Sequence, residues 1–385
     1  MDEDYDAVAQ DRTLFSGFSV SDVVALGAFP DYATLSEVPL PEPLNDFDIN
    51  TAQGRPYRPL RWPYHQTMAI HKLDTDFWIE LDNTYKDQIA TRKEIYRKHG
   101  KDIIQALPGS KLACKELTEM TIEFLCARYS NHFERNGGTF TNHILGKSYD
   151  VARTDPLSLL LENIPEDFAL MLRDPETGTY KFRAGVICAS TGWSLGTKIG
   201  MGLPDIHSPV PDYKQKMQLS MDRFFTKMST SKPVQRGAWG FEVGKHLYTP
   251  PNHPDLSHRD SQSPTLRPED IYLRVDWQTL RRLPLSGAIV FNFKVFFTPV
   301  TELKDEPYIP SLSLKVFSES KDNLRRYKEV YHTEHVLTPL LEEYEKYQID
   351  QGIIEKGWEP HTLVENPFFP GWEDKWTRMQ AAVQM

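Results

Sequence analysis

Cysteine is scarce in this chain. Cys114, Cys126 and Cys188 are the whole complement, odd in number and far apart. That argues against a disulfide scaffold and suits a reducing compartment. It also excludes a 2Fe–2S cluster, which needs several closely spaced thiolates, and a zinc site built from paired cysteines. If the chain is a redox enzyme, its electrons come from another chain. Long apolar runs are missing too: none approaches the roughly 18 residues of a membrane helix. The opening Met-Asp-Glu-Asp has neither the basic nor the apolar region of a signal peptide. The expectation is a cytoplasmic protein with no membrane partner. Positive charge is in deficit, with 44 Lys and Arg against 54 Asp and Glu and a net charge of −10. The basic residues form no stripe that could neutralise phosphates, so no nucleic-acid partner is expected. No G-x-G-x-x-G follows a strand, no G-x-x-x-x-G-K-S/T occurs, and the serines lack a G-x-S-x-G elbow. There is thus no case for a dinucleotide fold, a nucleoside triphosphate site or a serine hydrolase.

What is present is an ordinary globular composition, 39% hydrophobic and 25% charged over 385 residues, enough for one large core or two modest ones. Residues 1–56 are proline-rich and aperiodic and read as an irregular arm. Residues 57–155 read as a helical subdomain: Phe77, Trp78, Leu81 and Tyr85 fall at helical spacing, as do Leu112, Leu117, Met120 and Phe124. From about 156 to 305 the period changes. A hairpin over Phe168–Arg173 and Tyr180–Cys188, turning at Asp174-Pro-Glu-Thr-Gly178, precedes a helical stretch from Trp193 to Met228 in which Asp212 is a good N-cap. Strands follow at Ala238–Val243, Ile271–Leu280 and Ala288–Thr298, with a long loop from Tyr248 to Pro268. Two strands, a helical insert and three strands give an α+β fold, an antiparallel sheet in PAS-like order, although other small α+β folds share that pattern. The helical insert and the inner sheet face would then enclose a pocket. Residues 306–385 read as amphipathic helices and an aromatic tail that packs back on the body.

Several residues invite chemistry. His207 lies in Leu203-Pro-Asp-Ile-His-Ser-Pro-Val-Pro211, a turn braced by Pro209 and Pro211. A braced imidazole could ligate a metal whose properties depend on ring orientation. The plainer reading is a helix-flanking histidine bonded to a carbonyl. In the strand Tyr272-Leu-Arg-Val-Asp-Trp-Gln-Thr279, period two puts Tyr272, Arg274, Asp276 and Gln278 on one face and Leu273, Val275, Trp277 and Thr279 on the other. The polar face is either solvated or lines a pocket, with Arg274 or the pair Arg281 and Arg282 meeting an anion and Asp276 a cation. Arg236 and Trp239 sit near a strand start, and Trp239 can wall a pocket or fill core. His246, His253 and His258 match no metal-ligand spacing.

Five ordered blocks resemble the haem-dependent oxidative N-demethylase family: Tyr57-Arg-Pro-Leu-Arg-Trp-Pro-Tyr-His-Gln-Thr-Met68, Trp78–Tyr85, Gly185–Cys188 with Trp193–Gly200, Ile206–Pro211, and Tyr272–Val275 with Gln278–Pro284. The resemblance implies a PAS-like domain holding b-type haem, with His207 as the iron ligand and Arg236, Trp239, Arg281 and Arg282 around the cofactor. It implies Asp276, Arg274 and Thr197 as catalytic candidates in an oxygen-dependent demethylation of a small organic amine, monooxygenase in type. It also implies a separate electron-donor protein carrying NADPH, FMN and a 2Fe–2S centre. The alternative is a haem-binding PAS sensor or binding module without catalysis. The chain departs from the family's pattern twice: a glutamate commonly precedes the lysine equivalent to Lys198, and Arg-Val-Glu-Arg commonly stands where this chain has Arg274-Val275-Asp276-Trp277. Both changes alter pocket charge and point away from a small dimethylated ammonium.

Overall fold

The computed structural model describes residues 13–64, 67–328 and 330–382. Residues 1–12 of the expected arm, and His65 and Gln66 of the first resemblance block, lie outside the described residues.

The fold is α+β. Its centre is a seven-stranded antiparallel sheet of β1 (His71–Lys72), β2 (Ile104–Ala106), β6 (Asp167–Arg173), β7 (Tyr180–Val186), β8 (Val234–Val243), β9 (Ile271–Arg282) and β10 (Ile289–Pro299), in the order β1-β8-β9-β10-β6-β7-β2. Three shorter strands, β3 (Phe133–Asn136), β4 (Thr139–Asn142) and β5 (Lys147–Asp150), form a separate sheet inside the stretch expected to be wholly helical. Strands β9 and β10 are long because β-branched and aromatic residues alternate through both, and they turn at Leu283–Ala288, where Gly287 takes a φ of 70° that a side chain would resist.

The far face of the sheet carries two cores. Val290, Phe168, Leu170 and Val186 pack on the helices Lys111–Arg128 and Pro156–Asn163. Leu273, Val275, Trp277 and Phe241 pack on the helices Ile309–Glu319 and Glu334–Asp350 and on the aromatic tail, with Trp277 stacked on Tyr57 at 4.0 Å. Tyr57 in turn stacks on Phe368, so the tail does return to the body. The near face holds a third core, in which Met171, Phe182, Leu280 and Phe293 face Met217, Met221 and Phe225 from the segment between β7 and β8.

Local expectations fared unevenly. Where the spacing of Phe77, Trp78, Leu81 and Tyr85 suggested a helix there is a single 3-10 turn at Thr75–Phe77, and the α-helix begins at Tyr85. Asp82 accepts the Thr84 N–H there, while Trp78, at the end of the 3-10 turn, and Leu81 are buried outside any α-helix: their spacing reflects a core filled from several sides. The segment Trp193–Gly200 has one helical turn, Leu195–Lys198. Asp212 does precede a helix, Tyr213–Lys216, but at φ 59° its carboxylate makes no cap and pairs instead with Lys216 and Lys321. The arm carries two short helices, Val20–Leu26 and Tyr32–Ser36, and buries Val23, Tyr32 and Ile49 in the first core. Among the described residues, no helix is long and apolar enough to cross a membrane.

Candidate functional site

Between the near face of the sheet and the helical segment lies a cavity of about 520 Å³, within the usual range of small-molecule and cofactor sites. Register explains which residues reach it. On β9 Arg274, Asp276, Gln278 and Leu280 line the cavity, while Leu273, Val275 and Trp277 are buried on the far side. The alternation left two faces open, and the polar one turns inward. Pairing sets Arg236 opposite Gln278, Ala238 opposite Asp276 and Gly240 opposite Arg274, so β8 contributes the same face. Phe291 and Phe293 of β10 and Met171 of β6 complete an apolar floor, and Met217, Met221 and Phe225 form a matching roof.

A strap that includes residues 59–64, Thr67 and Met68 closes one side. It is anchored by a buried bidentate pair between Arg58 and Glu306, at 2.5 and 2.6 Å, beside the Tyr57–Trp277 stack. Glycine at 237 permits its approach: a Cβ there would lie 2.6 Å from the Pro59 ring. Arg61 and Tyr64 of the strap reach the cavity wall.

His207 caps the one-turn helix Leu203–Ile206. Its Nδ1 lies 2.8 Å from the Leu203 carbonyl, to which it donates, and its ring stacks on Tyr213 at 4.9 Å with planes 9° apart. An Nδ1–H bond fixes the tautomer that leaves the Nε2 lone pair free. Burial, with the nearby positive charges of Lys198 and Arg236, lowers the imidazole pKa to about 4, so the ring is neutral at physiological pH. His207 lines the cavity. The carbonyl-bonded histidine and the ligand-ready histidine are therefore one arrangement.

The other candidates separate. Arg274 donates to Asp276 at 3.0 Å and to the Thr191 hydroxyl at 2.8 Å, both at the cavity wall. Arg236 lines the cavity with its Nε buried and unpaired, and desolvation lowers its pKa. Trp239 borders the cavity and belongs to the second core, so both of its roles hold. Thr197 is exposed and occupied in a capping box with Ser194, outside the lining. Arg281 and Arg282 are also outside it. Arg281 lies on the far side against the Trp78 ring, at 4.2 Å, and burial lowers its pKa to about 10. Arg282 is spent on the carbonyls of Met228, Phe225 and Gly287 and on the Tyr180 hydroxyl. Adjacent residues on a strand point to opposite faces, so the pair could never have faced one ligand together.

A family model described as haem-dependent oxidative N-demethylase, alpha subunit-like, matches residues 69–338. The chain belongs to that family. Within this member of the haem-dependent oxidative N-demethylase, alpha subunit-like family, the cavity holds further charged groups that sequence spacing did not single out: Arg61, Lys198, Glu242 and Lys328. Lys198 lies 4.2 Å from the centre of the Trp193 ring, and burial lowers its pKa to about 8. Glu242 pairs with Arg259. Lys328 is buried, with Nζ donating to the Trp239 carbonyl at 3.1 Å. Only Glu242 left a local signal, since it follows Arg236, Ala238 and Gly240 at period two on the same face. Arg61 and Lys328 come from segments far apart in sequence and join only in the tertiary fold.

Proposed function

We propose that residues 156–305 form a PAS-like domain that binds b-type haem, and that the chain is an oxygen-activating enzyme oxidising a small organic amine by N-demethylation or a related reaction. The strand order β8-β9-β10-β6-β7, with the helical insert after β7, supports the PAS-like reading. The observation that carries the functional one is His207: a neutral imidazole on the cavity wall, its Nδ1 held by a backbone carbonyl and its Nε2 left for a metal.

The residues fit haem in other respects. An apolar floor and roof suit a flat macrocycle, and Lys198 and Arg236, the cations beside His207, have no carboxylate partner among the described residues and are able to receive propionates. Haem held there would supply oxygen binding and activation at iron. The protein's part is to fix the imidazole, exclude bulk water with the methionine and phenylalanine walls, and set polarity through Arg274. That guanidinium is held by Asp276 and Thr191, which leaves its charge directed at the cavity edge. The overall change balances as a methylamine, dioxygen, two protons and two electrons giving the demethylated amine, formaldehyde and water. The electrons come from a separate reductase carrying NADPH, FMN and a 2Fe–2S centre.

The test is an absorption spectrum of the purified protein as isolated, reduced, and reduced under carbon monoxide, followed by amine-dependent oxygen uptake and formaldehyde release with a chemical reductant. A histidine-ligated Soret signature with formaldehyde release is the expected result. Intact haem with no turnover of any amine would favour a sensor, and a featureless spectrum after haem reconstitution would overturn the haem reading.

A further inference from the structure

The cavity has more positive charge than haem requires. Its lining brings in Arg61, Lys198, Arg236, Lys328 and Arg274, against Glu242 and Asp276. Each carboxylate is already engaged, Glu242 by Arg259 and Asp276 by Arg274. Arg61, Lys198, Arg236 and Lys328 have no carboxylate partner among the described residues. Lys328 is buried and Arg61, Lys198 and Arg236 are half-buried, and drawing cations out of water with no carboxylate beside them is unfavourable, so a cavity lined by four of them favours anions. A pair of propionates answers two of the four. The iron of a ferric haem brings positive charge of its own, so the surplus is not removed by the cofactor.

The surplus also has a location. Lys198 and Arg236 are the cations that act on His207. Arg61 and Lys328 flank a different group: their charged ends lie 5.8 and 5.7 Å from the Tyr64 ring, where strap and C-terminal segment meet. Lys328 is buried, and Arg61 makes a single side-chain hydrogen bond among the described residues, 3.2 Å to Thr67. The Nε of Arg236, at the same end of β8, is buried with no partner. Charge is segregated along that strand: Glu242 lies six residues beyond Arg236, roughly 20 Å at strand rise, with Asp276 between them opposite Ala238.

We infer that the substrate is an organic acid bearing an N-alkyl amine, its carboxylate held in the corner made by Arg61, Tyr64 and Lys328 and its amine directed away from that corner into the cavity. This rests on the haem-enzyme reading above, and it specifies the substrate class of that site. A simple alkylammonium would bring a further positive charge into a cavity already rich in them. An amino acid brings its own carboxylate to those cations.

The experiment is a binding titration of the haem-loaded protein followed by the Soret difference spectrum, with N-methylglycine and N-methylproline against their primary amides. The acids should bind at least tenfold more tightly than the amides, and the ratio should shrink with added salt. Arg61→Gln and Lys328→Gln should each lower acid affinity at least tenfold, leave amide affinity and haem content at the wild-type level, and be rescued by Arg61→Lys and Lys328→Arg. Equal binding of acid and amide to the wild type overturns the inference. So does loss of haem in both glutamine variants with an unchanged acid-to-amide ratio, which would make these cations propionate partners. If the protein takes no haem, the parent reading fails separately. Calorimetry of the same acids and amides on the haem-free chain then decides the inference by the same ratio.

Discussion

Replacing His207 tests the central assignment, because the structure separates its structural cost from its functional one. His207→Gly removes the Nδ1–H bond to Leu203, but that carbonyl keeps the backbone N–H of residue 207 at 3.2 Å, so no buried acceptor is orphaned. The lost side-chain bond is worth about 1 kcal/mol and the lost ring stacking on Tyr213 about 0.5–1 kcal/mol. Glycine's freedom in the unfolded chain adds about 0.5–1 kcal/mol. The total, on the order of 2–3 kcal/mol, is a fraction of a domain's stability, and the variant should fold with a lowered melting temperature. Haem is expected to respond on a different scale. Changes to groups that merely orient a metal ligand cost about 10–100-fold in affinity, and loss of the ligand itself should exceed that. The assay is haem transfer to an apo-acceptor protein, with Soret and ferrous carbon monoxide spectra and far-UV circular dichroism on the same samples. Added imidazole should enter the vacated space and restore the histidine-type spectrum. A folded His207→Gly protein with full haem, wild-type retention and an unchanged Soret band would refute the assignment.

Arg282→Ala should act on stability and not on haem affinity. Its guanidinium ties the end of β9 to the carbonyls of Phe225 and Met228 at the C-terminus of the helix Gln218–Lys227, and leaving them unpaired should cost about 2–4 kcal/mol in a chemical denaturation curve. Haem loss from a protein of unchanged stability would return Arg282 to the cofactor. Burial raises the pKa of Glu116 to about 7, even though its carboxylate accepts the N–H groups of Leu285 and Ser286 in the β9–β10 turn. Because the folded pKa exceeds the unfolded one, the folded state holds the proton more tightly, and stability should fall by on the order of 1–3 kcal/mol as pH rises from about 4.5 to 7. Glu116→Gln should flatten that slope in unfolding curves measured across the range, and an unchanged slope would assign the dependence to other groups.

The order of strands and the hairpins were legible because period-two alternation and turn chemistry are local. Phe168–Arg173, Tyr180–Cys188 and the β9–β10 pair were each readable to within a few residues. The start of the first long helix was not, since Trp78 and Leu81 are buried by contacts from distant segments and imitate helical spacing. At the site, His207, Arg236, Arg274 and Asp276 were identifiable as residue types on constrained segments, and the fold gathers them at one cavity. Arg281, Arg282 and Thr197 were equally plausible by type and lie elsewhere.

By itself, then, the sequence determined the α+β class, the family and two alternative faces for β9. Alternation assigns residues to faces but carries no sign, because a face is inner or outer only relative to what packs on it. Tertiary structure supplied the sign. Tyr57 and the C-terminal helices claim the Trp277 face, which leaves Arg274 and Asp276 to the cavity. The cationic corner was beyond sequence reasoning for the same reason. Arg61 and Lys328 come to the same Tyr64 ring only when the strap and the C-terminal segment close over β8, and electrostatics depends on distance in space, not along the chain.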